Sequence, residues 1–255
     1  MPRFWFTFSL ALILSLGIAS SFVRADEKDK KAVKDAKAAP PGKATITPVP
    51  RDAGWMKRHD LINERVKATG DTQLLMIGDS ITQGWEGGGK EAWAKYYAPR
   101  KAVNLGIGGD RTEHVLWRLD NGNIDGIKPK AAVIMIGTNN SGKNSAQDIA
   151  EGITAIVTKL RTRLPNTKVL VLAVFPRGEK PNPQRETIAK VNEIVSKLAD
   201  DKSVFYLDIG PKFLAEGGVL TKDVMPDFLH LSKKGYEIWA ESIEGKVKEL
   251  LGEKN

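Results

Sequence analysis

The chain has 255 residues, 41% of them hydrophobic, a formal net charge of +8 and no cysteine. This is enough apolar material for one domain with a packed core. The lack of cysteine excludes disulfides, thiolate metal sites, a cysteine nucleophile and a lipid-bearing cysteine. Lys and Arg are scattered rather than gathered in a stripe with interleaved aromatics, so no nucleic-acid partner is expected. No run of residues has metal-ligand spacing, so no metal or other cofactor is expected.

Residues 1–25 have the pattern of a signal peptide. Arg3 supplies the positive start, Phe4 to Val23 is an apolar run, and Val23-Arg24-Ala25 offers small residues where cleavage after Ala25 would need them. The expected location is therefore periplasmic or secreted, with no membrane span after cleavage; the alternative is an uncleaved N-terminal anchor. Residues 26–50 are Lys, Ala, Asp and Pro with little that is large and apolar, which reads as a solvated tether. The catalytic domain is expected over 51–255.

Within 51–255, short β-rich runs alternate with longer amphipathic ones. A leading helix is expected over Trp55 to Ala68, then strands over Gln73 to Ile77 and Ala102 to Leu105. Further strands follow at Ala131 to Ile136, Lys168 to Val174 and Val204 to Leu207, all continuous and rich in Val, Ile and Leu. Helices are expected over Thr112 to Leu119, Ala146 to Leu164, Arg185 to Leu198 and Lys234 to Leu251. Such alternation implies a parallel sheet covered on both faces, a doubly wound α/β fold whose ligand site lies beyond the carboxyl ends of the strands.

Polar residues stand at those ends. The first strand runs into Gly78-Asp79-Ser80-Ile81-Thr82, where Ser80 is either a nucleophile lifted out of the sheet or an ordinary helix cap. The second ends at Asn104-Leu105-Gly106-Ile107-Gly108-Gly109-Asp110, with glycines that let backbone N–H groups approach a ligand or merely make a turn. A dinucleotide fingerprint fails there because Arg111 stands in place of the third glycine. The third ends at Gly137-Thr138-Asn139-Asn140, whose amides could donate to an oxyanion or shape the turn. Gly84 to Glu91 begins like a phosphate-binding loop but has Glu91 where Ser or Thr is needed, and it is read as a flexible loop beside the pocket.

Only three histidines exist. His59 and His114 fall in expected helices, where surface or packing roles suit them. His230 follows Asp227 by three residues on a loop before the last helix, a spacing that lets the acid hold one ring nitrogen while the other faces a serine.

Taken in order, these blocks resemble the SGNH, or GDSL-type, hydrolase family over about Trp55 to Leu251. Five segments resemble in particular its branch of platelet-activating-factor acetylhydrolase catalytic subunits: 106–110, 114–119, 137–140, 176–183 and 227–231. The resemblance implies a three-layer α/β/α, flavodoxin-like fold with a five-stranded parallel sheet. It implies Ser80 as nucleophile, His230 as base and Asp227 as its orienting partner, with the Ser80 N–H, the Gly109 N–H and the Asn139 amide as oxyanion hole. Asp79 matches the family's acid beside the nucleophile, and its placement suggests a structural role in the turn. The expected activity is hydrolysis of short-chain, above all acetyl, esters of a carbohydrate or lipid; the alternative is a non-catalytic carbohydrate-binding module on the same fold. The branch's subunits dimerise, so a homodimer is the protein partner the resemblance implies, although surface pairing does not travel with catalytic motifs.

Overall fold

Each of the five runs forms a strand because it is almost wholly apolar and covered on both faces; Asn104, in the middle of the second, is buried and its side chain accepts from Gly106 N–H at 2.8 Å. In the computed structural model, which describes Met1 and residues 44–254, the chain divides into two units, residues 1–37 and 38–255. Every described helix and strand lies in the second unit. Apart from Met1, the expected signal peptide lies outside the described residues, as does the tether through residue 43.

The elements in order are α1 (Ala53–Thr69), β1 (Leu74–Gly78), α2 (Ser80–Gln83), α3 (Lys90–Tyr96), β2 (Ala102–Gly106) and α4 (Thr112–Asp120). They continue with β3 (Ala131–Met135), α5 (Ala146–Arg163), β4 (Lys168–Leu172), α6 (Pro183–Ser196), β5 (Val204–Leu207) and α7 (Lys233–Leu251). A two-residue pair, β6 (Leu214–Ala215) and β7 (Val219–Leu220), lies antiparallel before α7. The sheet order is β2-β1-β3-β4-β5, with every neighbouring pair parallel.

Strand alternation sorts the core into two halves. Leu75, Ile77, Val103, Leu105, Ile134 and Val171 face α1, α4, α5 and α6, meeting Ile62, Val115, Ile153 and Val191. Leu74, Met76, Val133 and Leu170 face the other way, onto Trp85, Tyr97, Tyr236 and Trp239. Three layers result, as the alternation requires. The chain leaves β1 outward to β2 and returns to β3 on the opposite side, so the ends of β1 and β3 form the switch point where ligands bind in such sheets.

Beyond shifts of one or two residues at element ends, the structure departs from the sequence reading at two segments. Residues 44–50 belong to the folded body rather than the tether: Thr45 is fully buried, its carbonyl accepts from the Thr112 hydroxyl at 2.8 Å, and Val49 N–H donates to Glu113 O. Gly84 to Glu91 is not a flexible loop. Gly84–Glu86 is a 3-10 turn that buries Trp85 among Tyr97, Tyr236 and Trp239, with ring centroids 4.7 to 5.1 Å away. The Tyr236 hydroxyl then donates to Ile81 O at 2.7 Å, tying α7 to the turn after β1. Among the described residues no helix is long and apolar enough to cross a membrane.

Candidate active site

The turn after β1 is shaped by Asp79. Its Oδ1 accepts from Ile81 N–H at 2.9 Å and caps α2, the structural role expected of it. Its Oδ2 is buried without a partner. Burial therefore pushes the Asp79 pKa up to about 7; the Ile81 N–H opposes this, and the negative charge of Asp110 adds to it. The folded protein then keeps a proton that the unfolded chain releases near pH 3.8, so this group favours folding at low pH and ceases to do so as pH rises towards 7. Urea denaturation should show wild type losing stability relative to Asp79→Asn between about pH 4 and 7, with a slope approaching 1.4 kcal/mol per unit, and no further divergence above it. A constant offset at every pH would contradict a buried proton at Asp79.

One residue on, Ser80 opens α2 half-buried, and its Oγ lies 2.9 Å from His230 Nε2. His230 comes from the loop before α7, which Asp227 folds. Asp227 Oδ1 accepts from Leu229 N–H (3.1 Å) and His230 N–H (2.7 Å), while Oδ2 meets His230 Nδ1 at 2.7 Å. Phe228 takes φ +59 to complete this turn, and its carbonyl is held by Gly178 N–H at 2.8 Å. Partial burial pushes the Asp227 pKa up, but the hydrogen bonds from the His230 ring and the two N–H groups outweigh it, so the net shift is down. An ionised Asp227 only accepts; Nδ1 therefore carries the proton, and Nε2 is left to accept from the serine hydroxyl.

The β2 end comes within van der Waals contact of the same turn. A Cβ at Gly106 would lie 2.2 Å from the Gln83 backbone nitrogen, so only glycine fits. Gln83 Oε1 accepts from Gly108 N–H at 2.7 Å, and Gly109 adopts φ +75, a backbone shape that other residues resist. Beyond β3, Asn139 is half-buried and one of its two amide hydrogens goes to Asp110 O at 2.9 Å. The following Asn140 is fully buried and spent on structure, accepting from Thr112 N–H and donating to Glu113.

The sequence reading missed what supports this loop. Asp110 and Arg118 are both fully buried and paired at 2.8 Å; Asp110 also accepts from Trp55 Nε1 at 2.6 Å, and Arg118 donates to Asn123 Oδ1 at 2.6 Å and to Gly78 O at 3.3 Å. One signal was available: Arg118 interrupts a run of apolar positions, Val115, Leu116 and Leu119, that are all buried. His59 and His114 are buried away from Ser80, the first stacked on Trp55 at 5.7 Å and the second accepting from Arg111 N–H. Among the described residues no group of three or more His, Asp or Glu side chains could hold a metal ion.

Fold and strand-end chemistry together are those of an α/β ester hydrolase. Residues 76–238 match the GDSL-like Lipase/Acylhydrolase family. Platelet-activating factor acetylhydrolase IB subunit alpha2 of Rattus norvegicus is 41% identical over 203 residues, covering 79% of this chain and 87% of its own length. Subunit alpha1 of Homo sapiens is 38% identical over 209 residues, 82% of this chain and 89% of its own. Among solved structures, a GDSL-like lipase from Bacteroides thetaiotaomicron superposes with a TM-score of 0.61 at 19% identity, covering 76% of this chain and 97% of that one. An acetylxylan esterase from Geobacillus stearothermophilus gives 0.56 at 20% identity, covering 72% and 96%. The chain belongs to the GDSL-like lipase/acylhydrolase family and is a carboxylic ester hydrolase.

Proposed function

We propose that this protein hydrolyses short-chain, above all acetyl, esters with Ser80, His230 and Asp227 as its catalytic triad. The observation that carries this reading is the unbroken relay from Ser80 Oγ to His230 Nε2 at 2.9 Å and from His230 Nδ1 to Asp227 at 2.7 Å. His230 takes the Ser80 proton as Oγ bonds to the ester carbon. It returns that proton to the departing alkoxide, and water, activated by the same imidazole, then releases the acid and restores Ser80. The Ser80 and Gly109 N–H groups and the free amide hydrogen of Asn139 are the proposed oxyanion donors. Asn139→Ala should lower kcat on a small acetyl ester by about a hundred- to a thousandfold with little change in KM, because such donors act mainly on the transition state.

Acetyl is favoured because the names of the curated relatives and of one solved neighbour, an acetylxylan esterase, share it. An acetylated carbohydrate or a short-acyl lipid is the proposed substrate. Acetate release from acetylated xylan, acetylated peptidoglycan and a short-acyl phospholipid separates these, and equal rates on long-chain esters would defeat the acetyl assignment. A serine-directed organophosphorus probe should label Ser80; no labelling of folded protein would overturn the triad. Export is proposed on the sequence of residues 1–25 and is tested at the N-terminus of the mature protein, where a start at Met1 would refute cleavage.

A further inference from the structure

Beside the proposed oxyanion donors lies a cavity of about 340 Å³ lined by Arg51, Gly109, Arg111, His114, Asn139 and Lys143. Gly109 and Asn139 thus form a wall shared with the reaction centre. The other four side chains are hydrogen-bond donors, and no carboxylate lines the space.

Local carboxylates do not balance these cations. Asp110 is fully buried and committed to Arg118 at 2.8 Å; Arg51 meets it only at 3.5 Å and donates to Gly108 O at 2.7 Å, a bond that does not itself compensate its charge. Glu113 pairs with Arg111 at 2.9 Å. Lys143 is exposed and has no ion-pair partner among the described residues. Behind the wall Arg118 is matched by Asp110, Arg111 is matched by Glu113 and Asp52 lies next to Arg51, so Lys143 is the lining cation that no carboxylate among the described residues offsets.

His114 registers the same field. Its Nδ1 accepts from Arg111 N–H at 3.0 Å, so the neutral ring carries its proton on Nε2, which meets no acceptor among the described residues. Burial, then the charges of Arg111, Arg51 and Arg118, push its pKa down to about 3, so it stays a neutral donor at any working pH. Basic side chains, a neutral imidazole donor and the shared amide wall have one complementary ligand class, an oxyanion.

We infer that the substrate carries a carboxylate or phosphate group on its alcohol portion, and that this cavity holds that group while the ester lies against Ser80. The inference rests on the acetyl-ester reading, since an acetyl group has no room for the charge and the released alcohol must bear it. The held anion would anchor the leaving portion before and during attack, lowering KM more than it raises kcat. Anchoring by exposed cations is screened by salt.

Two matched pairs of esters test this: O-acetylglucuronate against O-acetylglucose, and acetylglycerol 3-phosphate against acetylglycerol, with 4-nitrophenyl acetate as a neutral reference. We expect kcat/KM to favour the anionic member of at least one pair by tenfold or more, mostly through KM, and the preference to shrink as salt is raised. The pair that shows it distinguishes carboxylate from phosphate. Lys143→Glu, at an exposed position without a partner, should cut that preference at least tenfold; Arg111→Gln provides a second variant and should cut it too. Turnover of all neutral esters with no preference in either pair would overturn the inference and leave the acetyl-esterase reading standing. A preference that survives both substitutions would place the anion elsewhere and overturn it equally. Failure to hydrolyse any acetyl ester would refute the underlying reading, and the inference with it.

Discussion

Ser80→Ala and His230→Ala should each lower kcat on an acetyl ester by at least about ten-thousandfold, and the double substitution should be no worse than the more damaging single one. The reason is geometric. The 2.9 Å contact between Ser80 Oγ and His230 Nε2 makes nucleophile and base one unit, so removing either removes the same step. Asp227→Asn should cost less than either: its side chain is 56% exposed, and water can partly replace what it offers the ring. Its main losses would be the held tautomer and the turn that places His230. Steady-state kinetics of the four variants, with thermal unfolding to confirm that each is folded, decide the matter; simple multiplication of the single effects in the double variant would contradict a shared step.

The largest expected effect on stability belongs to Arg118, which is fully buried. Arg118→Met removes the cation that neutralises Asp110 in a fully buried pair, leaves Asn123 Oδ1 without its Arg118 donor, and leaves Gly78 O with the Ile107 N–H alone. Breaking such a pair on one side costs about 3–5 kcal/mol, whereas replacing both partners by apolar groups of similar volume often costs little. Asp110→Leu combined with Arg118→Met should therefore recover much of the loss in urea unfolding, with a coupling energy of opposite sign to the single effects. Trp55 Nε1 and Arg51 also point at Asp110, so the recovery should be incomplete. If the double variant were as unstable as the sum of the singles, the pair would be acting as two independent residues.

The strands and the long helices were legible because local pattern and tertiary demand agree in a parallel sheet. Val204 to Leu207 is reproduced to the residue, while the expected Lys168 to Val174 strand ends two residues sooner, at Leu172. The candidate site residues were legible for the same reason: Ser80, Gly109 and Asn139 stand just beyond strands, and His230 just before a helix, whose ends the hydrophobic runs define. Composition misled at residues 44–50, because Thr45 is buried by α4 and α5 rather than by its own neighbours. Three consecutive glycines, Gly87 to Gly89, suggested freedom, yet Gly88 and Gly89 are small so that Tyr236 and Trp85 can press against them, a contact set from α7 nearly 150 residues away. The Asp110–Arg118 pair and the basic cavity were hidden in another way. Each is built from side chains that sequence reading assigns to solvent, and only the closure of α1, α4 and the β3 end brings them together.

The packing of Trp85 has an optical consequence. Its indole and that of Trp239 are buried in an aromatic cluster, their N–H groups without hydrogen-bond partners, and Tyr236 in the same cluster is bonded to the carbonyl of Ile81, one residue after Ser80. Indoles in such surroundings emit at shorter wavelength than indoles in water. Separation of α7 from the nucleophile turn would wet them and shift their emission to the red, so the integrity of the reaction centre can be followed by intrinsic fluorescence alone, without substrate.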